Sequence, residues 1–233
     1  MAIRFLLASV FQVILIGSLN ADGPKPDENV QLEKDRKQSQ NNLKMIGLAF
    51  HNYAATNKSW FPNNIEDSKG KLLISWRVLL LPYLEEEKLF KEFKLDEAWD
   101  SEHNKKLISK IPKVFAPVRG KAEKGETYYR GFTGKNAIFE AGGNLRFPGA
   151  IPDGSSRTLL CVEAEIPVPW TKPDDLPFNP KKDELPKVGG AMFKDGFNAA
   201  FCDGSVHFIK KDVDRDTLRY LIDRADGMVV NIP

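Results

Sequence analysis

The densest group of reactive side chains in this sequence is Cys202-Asp203-Gly204-Ser205-Val206-His207. Runs of period two, Gly196 to Phe201 and Val206 to Ile209, flank the Asp-Gly pair, the signature of a β-hairpin closed by a two-residue type I′ turn. That loop length sets Cys202 opposite Ser205, Phe201 opposite Val206, Ala200 opposite His207 and Ala199 opposite Phe208. Cys202 and His207 then share one face, a diagonal step apart, which brings a thiolate–imidazole pair within reach. Nothing else supports a nucleophile. The cysteine has no glycine-flanked elbow, and no third group is placed to orient the histidine. Asp203 and Gly204 therefore read as turn residues, and Phe197, Ala199, Phe201, Val206 and Phe208 as a core face that a helix must cover.

Metal and redox chemistry fare no better. His51, His103 and His207 are scattered, without His-x-x-x-His or Cys-x-x-Cys spacing. Cys161 and Cys202 lie on two predicted strands of a chain read below as exported, so they either form the single available bridge or stay as buried free thiols. The best recognition patch is Trp170 with Glu163, Glu165, Asp174 and Asp175. An aromatic beside carboxylates, on a proline-rich excursion from Pro167 to Pro186, suits a sugar or a peptide. The competing role for Trp170 is to plug the edge of a sheet while the prolines blunt it. Trp60, Trp76 and Trp99 sit beside helix boundaries and are expected in the core.

The elements that must position these residues follow from periodicity. Asp22 to Asn29 reads as a proline-broken linker. From about Val30 to Asn57 the pattern is helical, with Leu43, Ile46, Phe50, Tyr53 and Ala54 on one stripe. Glu33 to Gln40 is almost wholly polar, so only the second half of this helix has a face to bury. Ser75 caps a short helix that Pro82 must break, and Asp100 or Ser101 caps another from Glu102 to Lys110. Beyond residue 120, glycines punctuate short strand-like runs. Thr158 to Glu163 is a strand, the long excursion and the hairpin follow, and a last helix is capped by Asp214 and stopped by Gly227. Helices first and antiparallel strands second make an α+β pattern.

A net charge of +2 in 233 residues argues against nucleic acid as a partner. The N-terminus is more informative. Arg4, the apolar run Phe5 to Ile16, and the small residues up to Ala21 have the layout of a secretory signal peptide. The run is short for a membrane span, which needs about 20 apolar residues. Cleavage near Ala21 gives a soluble exported protein, periplasmic or at the cell surface; retention gives an anchored one. The chain divides into a signal peptide (1–21), a linker with the polar start of a helix (22–40) and one domain (41–233).

Several blocks carry a family likeness. Asn41-Asn42-Leu43-Lys44, Gly47 to Tyr53 and Phe61-Pro62 resemble the opening of the bacterial domain of unknown function 1559, whose members are labelled prepilin-type or solute-binding. Ser75 to Glu85, Trp99 to Asn104, Val168 to Leu176, and Phe201 to Val206 with Phe208-Ile209 resemble its later blocks. The resemblance implies a pilin-like fold, a long N-terminal helix packed on an antiparallel sheet with a C-terminal hairpin and helix. Two departures stand out. A signal-like segment and linker replace the family's leader and continuous membrane helix, and Phe193 stands where the family's closing motif has a histidine. No cofactor is expected. The likeness to pseudopilins leaves calcium to consider, with Asp195, Asp203, Asp212 and Asp214 in the corresponding region, but no EF-hand spacing occurs. The sequence thus predicts a non-enzymatic pilin-like domain that works by interaction or assembly with an envelope or secretion-type protein. The alternative is a solute- or glycan-binding protein using the Trp170 loop.

Overall fold

The computed structural model describes residues 26–140, 143, 145–230 and 232. The signal-peptide segment 1–21 and residues 22–25 of the expected linker lie outside the described residues; the rest of that linker, from Pro26 to Asn29, is already helix, because a proline is tolerated in the first turn. The chain opens with α1 (Pro26–Thr56), a helix of 31 residues. Leu43, Ile46, Ala49, Phe50 and Ala54 are buried, spaced by three and four along one side. The preceding residues from Asp27 to Gln38 are exposed or half-buried, as their polarity requires.

A small hairpin of β1 (Ile65–Glu66) and β2 (Leu72–Ile74) follows. Next come the short helices α2 (Trp76–Leu79) and α3 (Glu87–Phe90). The Ser75 Oγ accepts from the Arg77 N–H at the start of α2, and Pro82 sits at the start of the 3₁₀ turn Leu81–Leu84 rather than inside a helix. The predicted helix 102–110 is a 3₁₀ segment, Asn104–Lys110.

The remaining strands are β3 (Glu126–Arg130), β4 (Phe132–Thr133), β5 (Leu159–Pro169), β6 (Leu176–Pro177), β7 (Gly196–Phe201) and β8 (Val206–Lys210). Four of them form the main antiparallel sheet, in the order β3-β5-β7-β8, and β4 pairs with β6 in parallel. The last helix, α4 (Arg215–Ile222), is capped as predicted, with the Thr217 N–H donating to Asp214 at 2.9 Å. The architecture is α+β: an N-terminal helix, antiparallel sheets and a C-terminal helix.

The hairpin is present but its register differs by one residue from the expectation. Gly196 pairs with Lys210, Asn198 with Phe208, Ala199 with His207 and Ala200 with Val206. The loop holds three residues: the Gly204 N–H donates to the Phe201 carbonyl, the Phe201 N–H donates to the Ser205 carbonyl, and Gly204 has φ +86°. This is a type I turn closed by a glycine bulge, the other hairpin geometry open to an Asp-Gly pair. The slip also changes what the faces carry. Phe197, Ala199, Phe201 and Ile209 pack with Leu218, Leu221 and Ile222 of α4. Ala200 and Cys202 pack with Leu43, Ile46 and Phe50 of α1. Every residue of β7 is buried, so the sheet has two covered faces where sequence suggested one.

Candidate functional site

The predicted recognition patch is split, with Trp170, Glu163 and Asp175 in the interior and Glu165 and Asp174 outside it. Trp170 is fully buried; its indole N–H donates to the Ile108 carbonyl at 3.0 Å, and its ring stacks on Phe115 and meets Phe93 edge-on. The cause is local. β5 runs on to Pro169, so residues 167–169 are sheet and not excursion, and the following residue is carried under the N-terminal layer. Trp170 is therefore corrected from a ligand-facing aromatic to a core aromatic. The carboxylates around it also separate. Asp174 is held by Arg130 at 2.6 Å and Lys172 at 2.7 Å. Glu165 points outward and is exposed.

Asp175 is 5% exposed and accepts from the Trp76 indole (3.1 Å), the Gly131 N–H (3.0 Å) and the Asn64 amide (2.9 Å). The guanidinium of Arg77 lies 3.5 Å away and donates to the Tyr129 carbonyl from two nitrogens, at 2.9 and 2.7 Å. Both side chains of this pair are wholly buried. Asp175 is thus a structural carboxylate, paired and hydrogen-bonded as a buried charge must be.

Glu163, 1% exposed, is sealed in the seam between α1 and the sheet. It accepts from the Asn198 N–H (2.8 Å), from the Asn198 amide (2.8 Å) and from the Ser39 hydroxyl. Ser39 also bonds the Tyr129 hydroxyl at 2.8 Å. Burial pushes the Glu163 carboxyl up to about 7, opposed by these hydrogen bonds and by the Arg36 charge. Arg36 closes the outer end of the seam. It holds both oxygens of Asp195, at 2.9 and 2.8 Å, and lies 4.1 Å over the Phe208 ring. Charge therefore fixes α1 to the sheet at the point where its buried stripe ends.

The hairpin holds no catalytic pair. Cys202 packs on the α1 side, whereas His207 meets the Phe201 ring edge-on at 5.4 Å on the α4 side. Both cysteines are free and buried, and burial raises the pKa of each thiol. Cys161 lies opposite Ala200, offset from Cys202, and of the two alternatives the free thiols are the one observed. Of the aspartates considered for calcium, Asp195 is taken by Arg36, Asp203 accepts the Ser205 N–H in its turn, and Asp214 caps α4. Asp153, Asp223 and Asp226 do converge within 4.8 Å. Asp153 accepts the Asp226 and Gly227 N–H groups and Asp223 accepts the Ala225 N–H, so turn geometry accounts for their approach.

Two tryptophans depart in the opposite sense: Trp99, expected in the core, is half-buried. Trp60, expected in the core, is 37% exposed. It lies beyond the end of α1, where two consecutive non-glycine residues, Lys58 (φ +53°) and Ser59 (φ +67°), adopt left-handed backbone. Those conformations turn the chain outward, and sequence periodicity carries no signal for them. Among the described residues no helix is long and apolar enough to cross a membrane.

Residues 36–117 match the model of the family described as Protein of unknown function (DUF1559). The match runs from the docked part of α1 through the short helices and ends before β3. No curated protein and no solved structure matches the chain.

Proposed function

Residues 36–117 match the DUF1559 family model, and from that premise we propose an exported, non-enzymatic, pilin-like domain of that family that assembles through the outward side of α1. The observation that carries this reading is the helix itself. Its first half extends beyond the residues that anchor it, and Val30, Met45 and Leu48 leave 56%, 48% and 53% of their surface exposed along one side. Glu33, Lys34 and Lys37 add exposed charge of both signs, a mix suited to a neighbouring helix of the same kind. The partner is a second copy or a related envelope component.

The groups that could have supplied enzymatic chemistry are engaged in the scaffold. The thiols are buried with raised pKa values, and Glu163 and Asp175 spend their lone pairs on the scaffold. Export rests on the sequence layout of residues 1–21, and the near-neutral charge supports a protein partner rather than nucleic acid.

Light scattering behind size-exclusion chromatography tests the assembly. The wild-type chain is expected to associate as its concentration rises, and the double variant Met45→Glu/Leu48→Glu to stay monomeric without losing its thermal transition. A wild-type protein that is monomeric at every concentration, or a variant that still associates, overturns the proposal.

A further inference from the structure

We propose that the cleft around the C-terminal end of α1 is a binding site for a neutral carbohydrate, a function separate from assembly along the helix. The cleft is an open depression of about 450 Å³, within the size range of small-ligand sites. Tyr53, Thr56, Asn57, Lys58, Trp60 and Asn63 supply the part of its wall that bears on recognition.

The chemistry of that wall is specific. Two aromatic rings offer flat apolar faces of the kind that C–H-rich sugar faces stack against, and amide and hydroxyl groups surround them. Among the described residues Lys58 is the only charged one in the lining, with no carboxylate there to repel or ionically select a ligand. An aromatic–amide wall with almost no charge fits a pyranose ring better than an ionic ligand.

The wall is also held in place before any ligand arrives. The Asn57 amide donates to the Tyr53 carbonyl at 2.8 Å and to the Tyr83 hydroxyl at 3.2 Å. Thr56 bonds the same hydroxyl at 2.6 Å, and the Tyr53 and Tyr83 rings meet edge-on at 5.6 Å. The Asn63 amide donates to the Gly143 carbonyl at 2.7 Å, while its oxygen takes one N–H from Asn64 and keeps a second lone pair for a hydroxyl. Arg146 lies 5.0 Å over the Trp60 ring, and a backbone bridge joins the two residues. Fixed side chains of this kind lose little entropy on binding.

Backbone strain points to the same place. Lys58, which lines the cleft, and Ser59 beside it adopt left-handed conformations that are unfavourable for residues other than glycine. A helix stop alone needs one such residue, usually glycine. The second turns Trp60 out of the interior and to the cleft.

Isothermal titration calorimetry on the full-length chain tests the site, using cello-, chito-, xylo- and manno-hexaose with hexagalacturonate as the anionic probe. At least one neutral hexaose is expected to bind, with affinity weakened by roughly tenfold or more in Trp60→Ala and unchanged in Glu165→Ala, an exposed position outside the cleft. An unshifted thermal transition in Trp60→Ala separates loss of the site from loss of the fold. Binding of hexagalacturonate alone, binding that survives Trp60→Ala, or no binding by any probe overturns the proposal. Failure here leaves assembly untouched, because Met45 and Leu48 lie outside the cleft.

Discussion

Glu163 illustrates how one residue can look like a ligand group in sequence and act as a fastener in the fold. Its carboxyl is pushed up to about 7 by burial, against a normal value of 4.5. The folded protein therefore binds more protons than the unfolded chain between those two values. The stabilising contribution is fully present below about 4.5 and is lost as pH rises through about 7, by up to about 3 kcal/mol. Urea unfolding between pH 5 and 8 is expected to show stability falling across that window, and Glu163→Gln to flatten the fall. The amide is accommodated by a flip of the Asn198 side chain, which exchanges the donating Nδ2 now facing Glu163 for the buried, unpartnered Oδ1. An equally steep pH dependence in the glutamine variant removes Glu163 as its source. Sequence could not separate Glu163 from Glu165, because strand parity says which face a residue takes but not how deeply that face is covered. Trp170 and Trp60 were inverted for a related reason. Hydrophobicity marks both for burial, and only the run of β5 and the left-handed pair at Lys58-Ser59 decide which one is buried.

At the scale of elements, period and punctuation carried most of the information. α1, its polar first half, the Ser75 and Asp214 caps and the β7–β8 hairpin were all legible, because each depends on side chains close together in sequence. The hairpin register was not, because Asp-Gly serves both a two-residue type I′ turn and a three-residue loop with a glycine bulge. What selects between them lies far along the chain. The Cys202 N–H donates to the Thr158 carbonyl and the Asp203 N–H to the Ser155 carbonyl, and Gly47 of α1 brings its missing Cβ position within 3.3 Å of Gly204. The bulge then fixes a requirement at Gly204. A Cβ there would meet only the His51 ring at 3.7 Å, an ordinary contact, so the cost of substitution is conformational rather than steric. Gly204→Ala is expected to lose about 1 kcal/mol, and Gly204→Asn less, since asparagine tolerates left-handed backbone. Equal losses for the two in chemical denaturation would point to crowding at the hairpin tip instead.

For the whole molecule, the question is what joins the N-terminal layer to the sheet. α1 and the segments from Phe61 to Phe115 form one apolar cluster with one side of the sheet, and α4 forms a second cluster with the other. The N-terminal segments contribute no strand to the main sheet, so side chains must hold them in register. Arg77 and Asp175 are placed to do this. Arg77 belongs to α2 and donates to the main chain of β3, while Asp175 lies beside β6 and gathers donors from Asn64, Trp76 and the start of β4. A buried pair of this kind adds little net stability against an apolar replacement, but removing one partner leaves a buried charge unpaired. Asp175→Ala is therefore expected to cost about 3–5 kcal/mol, with the Arg77 charge, the Trp76 indole and the Gly131 N–H all losing their acceptor. Glu165→Ala, at an exposed position of neighbouring sequence, should stay within about 0.5 kcal/mol of wild type. Urea unfolding followed by far-ultraviolet circular dichroism measures both. Near-ultraviolet dichroism adds a local readout, since Trp76 stacks on Phe139 at 5.3 Å and is held by Asp175. A cost for Asp175→Ala no larger than that for Glu165→Ala means the two layers are joined by apolar packing alone. A large cost with an altered Trp76 signal identifies the pair as the joint, and it explains why carboxylates so close in sequence, Asp174 and Asp175, serve the surface and the interior respectively.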